Sequence, residues 1–276
     1  MKICDNVHQI RIDFNVTEDI KRYVYIYIIE GKHLYLIDSG VSGSERIIED
    51  YLHDMNKSIR DIKGVFLTHS HPDHIGSAGK IKSISKSNIY APYDEKDWIE
   101  DIHKQFKERP IPNFYGLLNE SVKIDEYLKK DDIITLQEDI HLRVIDTSGH
   151  SKGSLSYLWM ERNILFTGDA VPATEDISIF VDFKKSMDTL ERLKSIDDIN
   201  FCLPAWDRAY KKNEYKNVIN SSIRLLNKIN NEVRCLKGKT NDKDEIFENV
   251  CDNLNMSSFK NNPLFKKSVL SCMNEE

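Results

Sequence analysis

Between Thr68 and His74 the chain reads Thr-His-Ser-His-Pro-Asp-His, placing three imidazoles and a carboxylate within six residues. Neutral imidazole is a strong ligand for zinc and its neighbours in the transition series, and an added carboxylate balances the charge of a divalent ion. The set therefore points to metal chemistry, against the competing account of a solvated loop that is rich in histidine by chance. Side chains of this kind leave coordination positions open, so a bound water is acidified from ~15.7 towards ~7 while a carbonyl or phosphoryl oxygen is polarised. The expected outcome is hydrolysis by a metal-bound hydroxide. Asp73, set between nucleophile and leaving group, is the candidate catalytic residue for shuttling a proton.

Elements must position these groups. Gly64 to Leu67, just upstream, is a short apolar run that reads as a buried strand. Residues two apart on an extended segment point the same way, so His69 and His71 can share one cation while Asp73 and His74, in the loop beyond, face another. Val7 to Phe14, Arg22 to Glu30 and His33 to Ile37 read as an antiparallel meander with a turn at Gly31-Lys32. Ser44 to Met55 has helical apolar spacing, and Ile89 to Ala91 is a strand ended by Pro92. Strand character returns over Asp132 to Leu136 and Ile140 to Asp146, then over Leu155 to Met160 and from Asn163 into the turn at Gly168-Asp169. Lys185 to Ile196 is an amphipathic helix leading to a strand over Ile199 to Leu203.

The motif His69-x-His71-x-Asp73-His74 resembles the signature of the metallo-β-lactamase superfamily. The resemblance covers about residues 7 to 207 and implies an α/β fold, a four-layer αββα sandwich. It divides the chain into a catalytic domain over residues 1–212 and a helical C-terminal extension over 213–276, which either covers the sandwich or makes a dimer contact. Within the first, residues 93–130 form a long excursion with Trp98, Phe106, Phe114 and Tyr115, either a lid over the pocket or a segment anchored to the core by its aromatics. Gly149-His150-Ser151-Lys152-Gly153-Ser154 is similar to the family segment whose histidine completes the first imidazole set, and Asp169 matches its bridging aspartate. The implied ligands are His69, His71, His150 and Asp169 for one cation, and Asp73, His74 and Asp169 for a second. Where relatives place a last histidine, this chain has Trp206, so Asp207 is expected to supply an oxygen instead. Asp38, in an Asp-x-Gly step, either orients an imidazole from beneath the ligands or caps the following helix. The implied cofactor is zinc, one or two ions per chain, with iron or manganese suited to the same donors.

Composition bounds the rest. A length of 276 residues with 40% hydrophobic content supports a substantial core. Thirty-nine basic against 45 acidic residues leave a net charge of −6, which argues against nucleic acid or an anionic membrane as partner. The opening residues do not form a secretory signal, and the five scattered cysteines suggest reduced thiols, so a cytoplasmic protein is expected. The resemblance then ranks a small acyl substrate first, a thioester, ester or lactone as in glyoxalase II or lactonase types. A phosphodiesterase or nuclease comes second, and a metal-binding sensor or scaffold without turnover third. A small molecule is the expected partner, with a homodimer open to it.

Overall fold

Strand composition and alternation divide the apolar residues between three cores. The computed structural model of the chain describes residues 1–174 and 176–274. Its first sheet runs in chain order through β1 (Lys2–Cys4), β2 (Val7–Asn15), β3 (Lys21–Glu30), β4 (Leu34–Ile37), β5 (Ile62–Phe66), β6 (Asn88–Pro92) and β7 (Glu126–Leu128). The meander β1 to β4 is antiparallel, and β4 to β7 pair in parallel. On β3, Val24, Ile26 and Ile28 enter one core and Tyr27 and Ile29 another, as the period of two requires.

The second sheet has the order β13 (Tyr210–Lys211), β12 (Phe201–Pro204), β11 (Ile164–Gly168), β10 (Leu155–Trp159), β9 (Ile140–Asp146), β8 (Ile133–Gln137). Its pairs are antiparallel except β11 with β12. Tyr157, Trp159, Phe166 and Leu203 from this sheet meet Tyr27, Ile37 and Phe66 from the first, forming the layer between the sheets. Polar stitches cross the same layer: the Leu155 N–H donates to the Thr68 carbonyl at 2.9 Å and the Tyr157 hydroxyl to that of Leu67 at 2.5 Å. The C-terminal end of β5, from which the histidine cluster departs, is therefore held by the opposite sheet.

Helices cover both outer faces, and the result is the αββα sandwich. Over the first sheet lie α1 (Ser44–Asp54), α2 (Pro72–Ile75), α3 (Ala78–Ser85), α4 (Lys96–Glu100), α5 (Ile102–Glu108) and α6 (Phe114–Leu117). Ile48, Leu52, Ile81, Ile99, Ile102, Phe114 and Leu117 from this layer pack on Val24, Ile26 and Leu36. Most of the 93–130 segment thus joins the helical layer, with Ile99, Phe114 and Leu118 buried, while the rings of Phe106, Phe114 and Tyr115 lie 5.0–5.2 Å apart. Over the second sheet, α7 (Phe183–Lys194), α8 (Lys212–Lys237), α9 (Lys243–Asn253) and α10 (Pro263–Ser271) share one apolar cluster. Ile219, Leu226, Ile229 and Val233 of α8 follow the three-four spacing and are completely buried there. Each such side chain contributes on the order of 1.5–3 kcal/mol by leaving water, so the C-terminal helices form a full fourth layer on α7. Among the described residues no helix is long and apolar enough to cross a membrane, and the cysteines form no disulfide.

Candidate metal centre

The centre forms at the rim where both sheets end, from loops that each follow a strand. His69 and His71 follow β5, α2 carries Asp73 and His74, His150 lies between β9 and β10, and Asp169 follows β11. Gly168 permits that last turn: its φ is +51°, and a Cβ there would come within 2.7 Å of the Thr68 hydroxyl.

Four ligand atoms converge on one point. His71 Nδ1 lies 2.9 Å from His69 Nε2 and 3.0 Å from His150 Nε2, while Asp169 Oδ2 is 3.3 Å from His150 Nε2 and 3.8 Å from His69 Nε2. These separations approach the ~3.3 Å edge of a tetrahedron whose metal–nitrogen bonds are ~2.0–2.1 Å. The other carboxylate oxygen, Asp169 Oδ1, lies 3.2 Å from His74 Nε2, which is 3.6 Å from Asp73 Oδ2. Asp169 therefore divides its oxygens between two clusters, His69/His71/His150 and Asp73/His74.

Hydrogen bonds behind the rings fix which nitrogen is free. His74 Nδ1 donates to Asp38 Oδ2 at 2.8 Å, and His150 Nδ1 donates to the Ile179 carbonyl at 2.7 Å. The Thr68 hydroxyl donates to Asp38 Oδ2 at 2.9 Å, so it can only accept from His69 Nδ1, also at 2.9 Å. In the neutral form of each ring Nε2 is then the nitrogen with the lone pair, and it points into the centre. Of the two roles open to Asp38, the structure selects ligand orientation: it holds His74 directly and His69 through Thr68, and its other oxygen accepts from the Thr68 N–H at 2.8 Å. Asp38 does so at φ +62°, a strained conformation uncommon outside glycine. Asp38→Ala is expected to weaken metal binding about 10–100-fold, the usual cost of losing such a partner, as measured by competition with a chromophoric chelator.

The residues fit a divalent cation. His74 Nε2 and Asp169 Oδ1 are buried without a hydrogen bond, and the converging imidazole nitrogens present more lone pairs than shared protons can satisfy. Burial holds His69 and His71 well below the ordinary imidazole pKa, and neighbouring cationic groups lower them further. Burial likewise lowers His150. These are the neutral forms that ligate metals. Burial also disfavours charge on His74, but Asp169, Asp38 and Asp73 outweigh it and raise that ring well above its ordinary value. Burial raises the Asp73 carboxyl, while at Asp169 the same effect is overridden by His74 and His150 and the carboxyl is held low.

Asp207 is the correction. Among the described residues it does not join either cluster; its carboxylate accepts from the Tyr210 hydroxyl at 2.5 Å and from the Arg208 N–H at 2.7 Å. Short-range partners within the β12–β13 turn claim it, which residue spacing alone did not reveal. Trp206, beside it, packs against the core of the first helical layer. Asp207→Ala is accordingly expected to retain the metal content of the unmodified protein, checked by elemental mass spectrometry after gel filtration.

One residue of the site was missed in the sequence. Glu95 is 4% exposed and accepts from the Ser70 hydroxyl, from the Ser151 hydroxyl at 2.6 Å and from the Gly153 N–H at 2.7 Å. It ties the His69–His71 loop to the His150 loop. Its signal was positional: it lies just past the C-terminal end of β6, the parallel neighbour of β5, and sites of open α/β sheets gather at that edge.

Comparisons with known proteins place the chain in a family. The family model described as the metallo-beta-lactamase superfamily matches residues 20–198. The probable metallo-hydrolase YybB of Bacillus subtilis is 26% identical over 226 residues, 79% of this chain and 96% of that protein. A hydroxyacylglutathione hydrolase of Bdellovibrio bacteriovorus is 26% identical over 137 residues, 49% of this chain and 45% of its own length, so the match spans less than half of that relative. Among solved structures, a metallo-beta-lactamase family protein from Thermus thermophilus superposes with a TM-score of 0.76 at 14% identity, covering 98% of this chain and 93% of the other. At that identity the likeness concerns the fold.

Proposed function

The chain belongs to the metallo-β-lactamase superfamily, and on that premise we propose that it is a metal-dependent hydrolase of a small acyl substrate, a thioester, ester or lactone. The observation that carries the hydrolytic part is Asp169, whose two oxygens face two separate clusters of metal-ligating atoms. The acyl preference is supported by relatives named hydroxyacylglutathione hydrolase. Zinc is the cation in this reading, one in each cluster; when bound, such cations supply Lewis acidity at a carbonyl oxygen and acidify water.

The chain's own residues do the rest. His69, His71 and His150, fixed as Nδ1–H tautomers or by convergence on one point, would hold one ion; Asp73 and His74 would hold the other, and Asp169 offers an oxygen to each cluster. Asp73 is partly exposed at 14% of its side chain, and burial raises its carboxyl above the ordinary carboxylate range, which makes the carboxylate a stronger base. It takes the proton released as water attacks the acyl carbon and returns it to the departing thiolate or alkoxide, so water and acyl compound give an acid and a thiol or alcohol. Cysteines that form no disulfide among the described residues suit action in a reducing cytoplasm.

Initial rates on matched thioesters, lactones, simple esters and a phosphodiester, each with a chelated control, test the reading. Chelator-sensitive turnover of acyl compounds is expected. Turnover of the phosphodiester alone would replace it with a phosphodiesterase. The scaffold reading has one specific support, Trp206 in the position where the family resemblance implies a histidine, and metal binding without any turnover would establish it.

A further inference from the structure

Helix α5 sits on the ligand loop through one buried side chain. Gln105 is fully buried, and its Nε2 donates at 2.6 Å to the carbonyl of Ser70, the residue between His69 and His71. Arg109 comes one helical turn later, and its N–H still bonds the Gln105 carbonyl at 2.8 Å. Arg109 closes α5 as its C-terminal cap, where the backbone leaves the helix at φ −139° and ψ 71°, so it stands beside the turn that meets the metal-ligating loop.

This guanidinium is half-buried, and among the described residues it has no hydrogen-bond or ion-pair partner. Its charge is felt across the centre: it is the strongest neighbouring influence on His71, and it also acts on Asp73 and Asp169. Neither carboxylate pairs with it, since both are turned towards the ligand clusters. Glu95 is also close enough to act on it, but its oxygens are taken by Ser70, Ser151 and Gly153. A cation with five donors, partly withdrawn from water and unpaired beside a site built for further cations, is electrostatically costly. An anion arriving with the substrate removes that cost, and the planar fork of arginine matches a carboxylate or phosphate in two parallel hydrogen bonds.

We propose that Arg109 anchors an anionic group, carboxylate or phosphate, on the substrate, so that the site selects acyl compounds carrying a negative charge at the end remote from the scissile bond. The inference rests on the acyl-hydrolase reading for its substrate and deepens it. It makes Arg109 a specificity-determining residue delivered by the segment between β6 and β7.

The experiment uses the metal-loaded full chain and three thioesters of equal length ending in a carboxylate, a phosphonate or a neutral amide. The unmodified protein is expected to favour one charged substrate by about tenfold or more in kcat/KM, the scale of a lost charge-assisted hydrogen bond. Arg109→Gln brings that ratio towards one through KM, and Arg109→Lys restores part of it. Whichever anion is favoured identifies the source of the charge. Calorimetric titration with glutarate and with inorganic phosphate gives a second readout, with binding at least tenfold weaker in Arg109→Gln at unchanged metal content. Should the variant not fold, protection of Arg109 from phenylglyoxal by the same anions, read by peptide mass spectrometry in the unmodified protein, decides instead. An unchanged ratio with unchanged anion binding, or absence of protection, overturns the proposal while acyl turnover leaves the parent reading standing. Absence of acyl turnover overturns the parent reading, and the anion titration still decides the role of Arg109.

Discussion

Asp169→Ala is expected to strip metal from the centre and to lower chelator-sensitive hydrolysis by about three orders of magnitude. The side chain contributes Oδ2 to the three-histidine cluster and Oδ1 to the Asp73/His74 cluster, so its removal costs both a ligand. A cation's Lewis acidity is worth several kcal/mol at the transition state, and each ~1.4 kcal/mol is tenfold in rate. Loss on the scale of 10³ therefore corresponds to ~4 kcal/mol. Metal content by elemental mass spectrometry should fall together with rate. Full metal content with full activity would show that the carboxylate only fills space between the clusters.

Glu95→Ala should have the largest effect on stability. Its buried carboxylate accepts from the Ser70 hydroxyl, the Ser151 hydroxyl and the Gly153 N–H. Leaving a buried donor unpaired costs ~1–3 kcal/mol, and removing the hub strands three. A destabilisation of roughly 3–5 kcal/mol is expected once the loops relax towards water, with Tm falling accordingly. Because Ser70 and Ser151 each adjoin histidines of the centre, metal affinity should drop as well, by about 10–100-fold. Thermal unfolding with and without excess metal separates the effects: a deficit that added metal fully removes would place Glu95 in ligand positioning alone.

The residues that converge at the centre were legible because their chemistry is carried by residue type and short spacing. His69, His71, Asp73 and His74 fall in one run, and His150 and Asp169 sit in glycine-marked turns after strands. The strands were legible for a similar reason, since alternation in Val7–Asn15 and Lys21–Glu30 and the apolar runs at β10 and β11 state which faces are buried. The short edge strands Lys2–Cys4, Glu126–Leu128 and Tyr210–Lys211 were not, being three residues or fewer and paired on one side. Asp207 misled for a physical reason: a carboxylate near an expected ligand position carries no mark of the tyrosine three residues on that claims it. Glu95 and Arg109 were hidden because their partners lie in other loops, and a mixed-charge segment looks alike whether its charges face solvent or a buried centre.

The stitches from β10 to the end of β5 have a consequence for biosynthesis. The ligand set is split between the two halves of the chain, with His69 to His74 on the first sheet and His150 and Asp169 on the second, and the rim they share is aligned by the Leu155 and Tyr157 bonds to Thr68 and Leu67. A nascent chain that has emerged only through the first sheet displays two histidines and an Asp/His pair but lacks the strand that sets their spacing. Metal capture is thereby expected to wait until the ribosome has delivered residues beyond Asp169, and a chain truncated before Asp169 to bind metal more weakly than the full one.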